Sequence, residues 1–371
     1  MDFIGRMERL GEAMRRERLD ALLVSHMANV RYLCGFTGSA GALAVAAGKK
    51  GLQASFFTDG RYTQQAKEQV RGAAVSIVPG AALTEAAGWL AKRRVRRVGI
   101  EGLQMPVAVR DAVVPRLGRT TKAVATRELV ERLRMVKEPG EVAQIRAAVR
   151  LASSVFDEVL QSIKPGVPES RVAAELEYLC RRLGAEGMSF DTLVSSGTRS
   201  ALPHGVASAS PIPAKGFVIL DFGVILGGYC SDMTRTVHVG AMDAKSEKLY
   251  RAVQEAQQAG LDAVRPGVKT SEVDRAARKV LEKAGFGRYF THSTGHGVGL
   301  EIHEPPGLRK AARGAAKAKT PELRLEPGMV VTIEPGAYIP GMGGVRIEDM
   351  VVVTPEGHEV LTPTRKDLIL L

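Results

Sequence analysis

The sequence predicts an α/β domain followed by an α+β domain with internal pseudo-two-fold symmetry. Three observations carry this. Short apolar runs alternate with helical patterns through residue 125. The texture then changes around Lys137-Glu138-Pro139-Gly140. In the second half, Ile163-Lys164-Pro165-Gly166-Val167 returns 101 residues later as Val264-Arg265-Pro266-Gly267-Val268.

In the first region, Ile4 to Glu17 reads as a charged amphipathic helix and Ala21 to Val24 as a short apolar strand. Ala42 to Ala46 and Gln53 to Phe57 read as further strands, with Gly48-Lys49-Lys50-Gly51 turning between them. Ala73 to Val78 and Val98 to Glu101 continue the series. Strands interleaved with helices predict a sheet covered by helices. Glu128 to Val136 reads as helical, and a long helix is expected from Pro139 to Ile163, since proline is tolerated in a first turn. The predicted domains are 1–130 and 138–371.

The repeat organises the second domain. At the same offset Ser170 matches Ser271, Val172 matches Val273 and Gly184 matches Gly285. Each copy reads as helix, Pro-Gly turn and second helix ending at glycine. Proline presets one φ in the turn and glycine takes the next. Each copy then runs into a strand pair: Gly216 to Asp221 with Gly228 to Val239, and Gly328 to Glu334 with Gly344 to Val353.

Composition narrows the class. The 371 residues are 45% hydrophobic and 25% charged, as in ordinary globular proteins. The net charge of +12 comes from scattered Lys and Arg, so no nucleic-acid partner is expected. The densest run, Lys92 to Arg97, reads as the polar end of a helix leading into the strand at Val98. Three cysteines without a CxxC speak against a disulfide scaffold or thiolate zinc site and for a reducing cytoplasm. Charges at Asp2, Arg6, Glu8 and Arg9 leave no apolar leader there, and no run is long enough to span a membrane.

The acidic residues concentrate the chemistry. Asp221 ends a wholly apolar strand, which is costly without a partner. Across the Gly227-Gly228 turn, Asp221 should face Thr234, with Asp232 diagonal to it on the same face. The second strand pair repeats the device with Glu334 and Glu348. A lone strand-end aspartate is ordinarily a turn former, but four converging carboxylates repel and call for about two divalent cations. His296, flanked by Gly295 and Gly297, adds an imidazole that shifts the preference toward first-row transition metals. The glycines around His296 lack the spacing of a phosphate loop, and neither HExxH nor GxSxG occurs.

Together these stretches resemble the pita-bread metallopeptidase family, which includes Xaa-Pro aminopeptidase, Xaa-Pro dipeptidase (prolidase) and methionine aminopeptidase. The resemblance rests on Leu220 to Gly223, Ser231 to Thr236, Ser293 to Glu304, Thr332 to Gly336 and Gly343 to Asp349, and spans about residues 138 to 365. Asn29 to Ser39 and Thr58 to Tyr62 resemble the creatinase/prolidase-type N-terminal domain, and Ala201-Leu202-Pro203-His204-Gly205 fits the Xaa-Pro branch. Creatinase shares the fold but lacks the metal ligands, all five of which are present here.

The resemblance implies a hydrolase with two divalent ions, manganese first and cobalt or zinc as alternatives. Asp232 and Glu348 would be shared by the ions, Asp221 would complete one, and His296 and Glu334 the other. Glu334 would shuttle protons. His204 and His303 would contact the substrate or its tetrahedral intermediate, and His292 would line the proline side. Arg346 would orient Glu348 or a neighbouring carboxylate, and Thr234 would support them. The expected reaction releases the first residue from peptides with proline in position two, with an Xaa-Pro dipeptidase as the alternative and a non-catalytic binding module behind both. A homodimer without a membrane partner is expected.

Overall fold

The structure is a computed structural model that describes residues 1–48, 51–311 and 322–371. The chain divides into two compact units, Met1–Arg134 and Met135–Leu371.

The first unit is built on a six-stranded sheet of β1 (Ala21–Val24), β2 (Ala42–Gly48), β3 (Gly51–Thr58), β4 (Ala74–Ile77), β5 (Arg97–Glu101) and β6 (Lys122–Thr126), in the order β4-β3-β2-β1-β5-β6. The β1–β2–β3 pairings are antiparallel and the rest parallel. The Lys49-Lys50 turn expected between β2 and β3 lies outside the described residues. The first helix is Phe3–Arg16, with Asp2 capping the N–H of Gly5. The helix Ala82–Ala91 buries Ala86, Ala87 and Leu90 against Leu23, Val98 and Ile100 of the sheet. The Lys92–Arg97 run follows that helix, with the Arg93 guanidinium 3.2 Å from the centre of the Trp89 ring. Two elements that periodicity does not reveal are the helix Met27–Cys34 and strand β6.

Two helix expectations are corrected. The helix expected over Glu128 to Val136 is only Glu131–Met135. The long helix from Pro139 stops at Ser154 and resumes as short turns, Phe156–Val159 and Leu160–Ser162. At Val155 the N–H bonds to Ala152 O at 3.4 Å, three residues back, and the α pattern breaks there. Val155, Phe156 and Val159 are all fully buried around this break. The start of the helix is set by Pro139 and by a capping box between Glu138 and Glu141.

The repeat of the second unit is visible in its backbone. The helices Glu169–Arg182 and Thr270–Lys283 each have 14 residues. The glycines of the preceding turns, Gly166 and Gly267, have φ of 85° and 80°, and the closing glycines, Gly184 and Gly285, 100° and 87°. The turns make the same bonds: Gly166 N–H to Ile212 O and Ile212 N–H to Val167 O, against Gly267 N–H to Leu325 O and Leu325 N–H to Val268 O.

Each copy delivers a long hairpin. In the first, β9 (Gly216–Phe222) pairs with β12 (Met233–Val239), and the tip is β10 (Val224–Leu226) with β11 (Tyr229–Cys230). The tip also pairs with β7 (Gly187–Met188), and β9 with β8 (Leu193–Ser196). In the second hairpin, β15 (Val330–Ile333) pairs with β18 (Asp349–Val353), and β16 (Gly336–Ile339) with β17 (Gly343–Arg346). The sheet holding β15 is completed by β13 (Gly295–Gly297), β14 (Glu304–Leu308) and β19 (His358–Val360). Cys34, Cys180 and Cys230 are buried and are not joined by disulfides. Among the described residues no helix is long and apolar enough to cross a membrane.

Candidate metal centre

Both hairpins are interrupted at their carboxylates. Ser231-Asp232 separates β11 from β12, Glu334-Pro335 separates β15 from β16, and Ile347-Glu348 separates β17 from β18. The first interruption has a steric cause. A Cβ at Gly223 would stand 1.8 Å from Ser231 O, so only glycine lets the strands cross there. Asp221 stays in register, paired with Thr234 on one side and Leu193 on the other.

His296 is placed the same way. A Cβ at Gly295 would lie 1.9 Å from Thr332 O, and one at Gly297 would lie 2.4 Å from Pro305 O. Both neighbours therefore press His296 between two strands. Its N–H donates to Thr332 Oγ1 at 3.1 Å, and Nδ1 sits 3.1 Å from Gly297 O. That leaves Nε2 facing Asp232 Oδ2 at 3.5 Å and Glu334 Oε1 at 3.6 Å. Asp232, His296 and Glu348 each offer one ligand atom within 4.8 Å of the others.

The electrostatics fit a cation. Asp221 Oδ1, Asp232 Oδ1 and Glu348 Oε1 are buried with no hydrogen-bond partner. Such atoms are rare, because each forfeits its hydration for nothing. Burial, then the charge of neighbouring carboxylates, pushes Asp232 and Glu348 well above the usual carboxylate range. Burial pushes Glu334 up to about 7 and His296 down to about 4. A neutral imidazole among converging carboxylate oxygens is a donor set for divalent first-row ions.

Arg346 and Thr234 surround this set. Arg346 Nη2 pairs with Asp221 Oδ2, and Nε donates to Thr234 Oγ1 at 3.0 Å. Thr234 Oγ1 in turn donates to Glu348 Oε2 at 2.7 Å. Arg346 thus touches Asp221 directly and reaches Glu348 through Thr234.

A cleft of about 490 Å³ opens on the centre. It is lined by all five candidate ligands and by His204, His292, His303 and Arg346, while Thr234 lies buried outside the lining. Phe190, Leu193, Val206 and Ile302 add apolar walls. The His303 ring packs against that of His296, with centroids 4.3 Å apart. His292 lies between Ser293 O, 2.7 Å from Nδ1, and the Tyr338 hydroxyl, 3.0 Å from Nε2.

Several contributors are not marked in the sequence. Tyr338 accepts from Arg346 Nη1 at 2.7 Å while it meets His292, and burial pushes its phenol up to about 12. Asp274 and Arg278 form a buried i,i+4 pair in which Arg278 donates to Phe290 O and His292 O and Asp274 accepts from Thr294 Oγ1. The one signal available for them is an acid and a base four residues apart on a face that otherwise packs.

Known proteins agree with this architecture. Residues 143–355 match metallopeptidase family M24, and residues 6–136 match the creatinase/prolidase N-terminal domain. An uncharacterized peptidase, YqhT, of Bacillus subtilis is 42% identical over 99% of this chain and all of its own. The Xaa-Pro dipeptidase of Pyrococcus furiosus is 35% identical over 98% of this chain and 99% of its own. Among solved structures, an Xaa-Pro dipeptidase from Bacillus anthracis superposes with a TM-score of 0.93 at 40% identity, covering all of both chains. An X-Pro aminopeptidase from Thermotoga maritima does so with a TM-score of 0.85 at 32% identity, covering 97% of this chain and all of its own. With its two-part fold and its carboxylate–histidine centre, this chain belongs to metallopeptidase family M24 and is a hydrolase with a pita-bread catalytic domain.

Proposed function

We propose that this peptidase is an Xaa-Pro dipeptidase. The observation that carries this reading is the likeness, over the whole of both chains, to the Xaa-Pro dipeptidase of Bacillus anthracis. It reverses the order expected from sequence, where the aminopeptidase stands first. The aminopeptidase is the second reading, favoured by the Thermotoga maritima structure.

Family M24 enzymes depend on divalent metal ions. In our reading Asp221, Asp232, His296, Glu334 and Glu348 would together hold two ions. The orphaned oxygens of Asp221, Asp232 and Glu348 support this assignment. Manganese is the proposed ion because the set is oxygen-rich with a single imidazole, and cobalt or zinc is a workable substitute. Bound there, the ions supply an acidified water and withdraw charge from the scissile carbonyl.

The remaining work falls to side chains. Glu334, a carboxylate beside the position of the attacking water, acts as the proton shuttle. It takes a proton from the attacking water and returns it to the prolyl nitrogen as the C–N bond breaks. His204 and His303, exposed on the cleft, donate to the carbonyl oxygen as it becomes an oxyanion. His292 is held neutral, down to about 4 by burial and by Arg346, and so presents an uncharged face to the proline ring. Phe190, Leu193, Val206 and Ile302 shield the reacting centre from water. A homodimer in a reducing cytoplasm completes the reading, supported by the family resemblance and by three cysteines that form no disulfide.

Hydrolysis of Xaa-Pro dipeptides and Xaa-Pro-Yaa tripeptides, measured after metal removal and manganese add-back, tests the proposal. Cleavage of dipeptides alone is expected. Equal or faster cleavage of tripeptides establishes the aminopeptidase, and failure on both sinks both readings.

A further inference from the structure

The turn that brings His303 into the cleft is held from behind by a buried ion pair. Lys137 Nζ lies 3.2 Å from Glu304 Oε2, and the two side chains are 1% and 2% exposed. Glu304 Oε1 accepts the N–H of Glu301 at 3.0 Å, and Gly299 N–H bonds to Glu301 O at 3.0 Å. The Glu304 carboxylate fills the inside of this turn so closely that a Cβ at Gly299 would meet Oε2 at 2.7 Å. Ile302 and His303 lie between these anchors and face the cleft. Lys137 is itself fixed, because its N–H bonds to Gly328 O at 2.9 Å and Val136 bridges to Met329 at the entry to β15.

Stability alone is a poor reason for such a pair. Removing two charges from water costs about as much as pairing them returns, and apolar side chains of like volume serve as well or better. What a charged pair adds is direction. An ammonium on the firmly bonded Val136–Lys137 segment dictates where the Glu304 carboxylate sits, and the carboxylate dictates the turn.

We propose that Lys137 and Glu304 are positioning residues that aim His303 at the substrate. The inference rests on the reading of His303 as a substrate-contacting histidine. A 1 Å displacement of such a group is enough to lower a rate substantially.

The test is the double variant Lys137→Met/Glu304→Gln, which removes both charges of the pair and keeps the shapes of the side chains. Manganese affinity should stay within about 3-fold of wild type, while kcat/KM on an Xaa-Pro peptide falls by about 10- to 100-fold. In a His303→Ala background the same two changes should cost less than about 3-fold, because effects that pass through one residue do not add. Spectra of the protein labelled with carbon-13 on its histidine rings give a second readout. The His303 signal, identified by its loss in His303→Ala, should shift while that of His204 stays.

Equal losses in both backgrounds, an unmoved His303 signal, or collapse of manganese affinity would each overturn the proposal in favour of a general packing role. Should the double variant fail to fold, Gly299→Ala sets a methyl against the Glu304 carboxylate, and an unmoved His303 signal there overturns it as well. A wild-type protein that takes up manganese but cleaves no Xaa-Pro peptide defeats the functional reading alone, and the spectra still decide the positioning.

Discussion

Thr234 of the first hairpin donates its hydroxyl to Glu348 of the second, 2.7 Å away. The backbones follow suit, with Glu348 N–H bonding to Thr234 O at 3.1 Å. Thr234 therefore joins the two copies of the repeat where their carboxylates meet, beside the Arg346–Asp221 pair that also links them. The same hydroxyl accepts from Arg346 Nε, so its proton is directed at Glu348 and nowhere else.

Thr234→Val removes that hydroxyl from a fully buried position and keeps the shape. Glu348 then loses the partner that aims it. Partners of this kind are worth about 10- to 100-fold in metal affinity. Manganese titration by calorimetry should show a loss of that size, with activity restored at high manganese. An unchanged affinity would mean that the backbone bond alone aims Glu348.

Stability in the absence of metal should fall as pH rises above about 7.5. Glu334, Asp232 and Glu348 all have raised carboxyl pKa values in the fold. Their contribution is fully present below the ordinary carboxylate range, about 4.5, and is lost as pH climbs through the folded value, about 7 for Glu334. His292 and His296 run the other way. Lowered to about 4, they contribute stability present above 6.5 and lost as pH falls through 4. An unfolded histidine is still about half protonated at pH 6.5, so the histidine gain is complete only at about pH 7.5, and beyond that the raised carboxylates carry the change. In a chelator, Tm should therefore drop between pH 7.5 and 8.5, and the gain from added manganese should widen over the same interval. A flat profile would show that the carboxylates are relieved by something other than metal.

The parts of this site that sequence reveals are those where local cost is visible. Asp221 ends an apolar strand, and the Gly227-Gly228 turn fixes its register, so its pairing with Thr234 follows from counting. The hairpin interruptions do not follow, because the first depends on a close approach across the turn, Gly223 against Ser231 O, that no local pattern announces. Partnerships formed over long separations are equally hidden: His292 with Tyr338, and Lys137 with Glu304. The first unit teaches the same lesson. The helix Met27–Cys34 begins where the Glu101 carboxylate accepts Ser25 N–H and His26 N–H, at 2.6 and 2.8 Å. A capping group so distant in sequence leaves no local signature.

Tyr338→Phe tests the relay behind His292. Arg346 Nη1 donates to the phenol oxygen, which leaves the phenol proton for His292 Nε2 and makes Nδ1 the donor to Ser293 O. Without the hydroxyl, the ring loses the bond that fixes its tautomer. KM for Xaa-Pro peptides should rise about 2- to 10-fold with manganese affinity unchanged, since one hydrogen bond to a neutral group is worth about 1 kcal/mol. A fall in kcat with constant KM would instead place Tyr338 with the reacting atoms.

Asp232→Asn separates function from stability most sharply. The side chain keeps its shape but loses the charge that Glu348, Asp221 and Glu334 oppose. It also loses its ability to serve as a strong anionic ligand, so activity should fall by about 10³-fold or more, as when a catalytic interaction central to the site is removed. The metal-free protein should nevertheless become more stable, because one of several buried like charges is gone and the desolvation cost of an amide is far smaller. Thermal unfolding in chelator at pH 8 should show a higher Tm for the variant than for wild type, and in saturating manganese the order should reverse, since only wild type gains from binding. A lower Tm in chelator would mean that hydrogen bonds, not a cation, account for the Asp232 carboxylate.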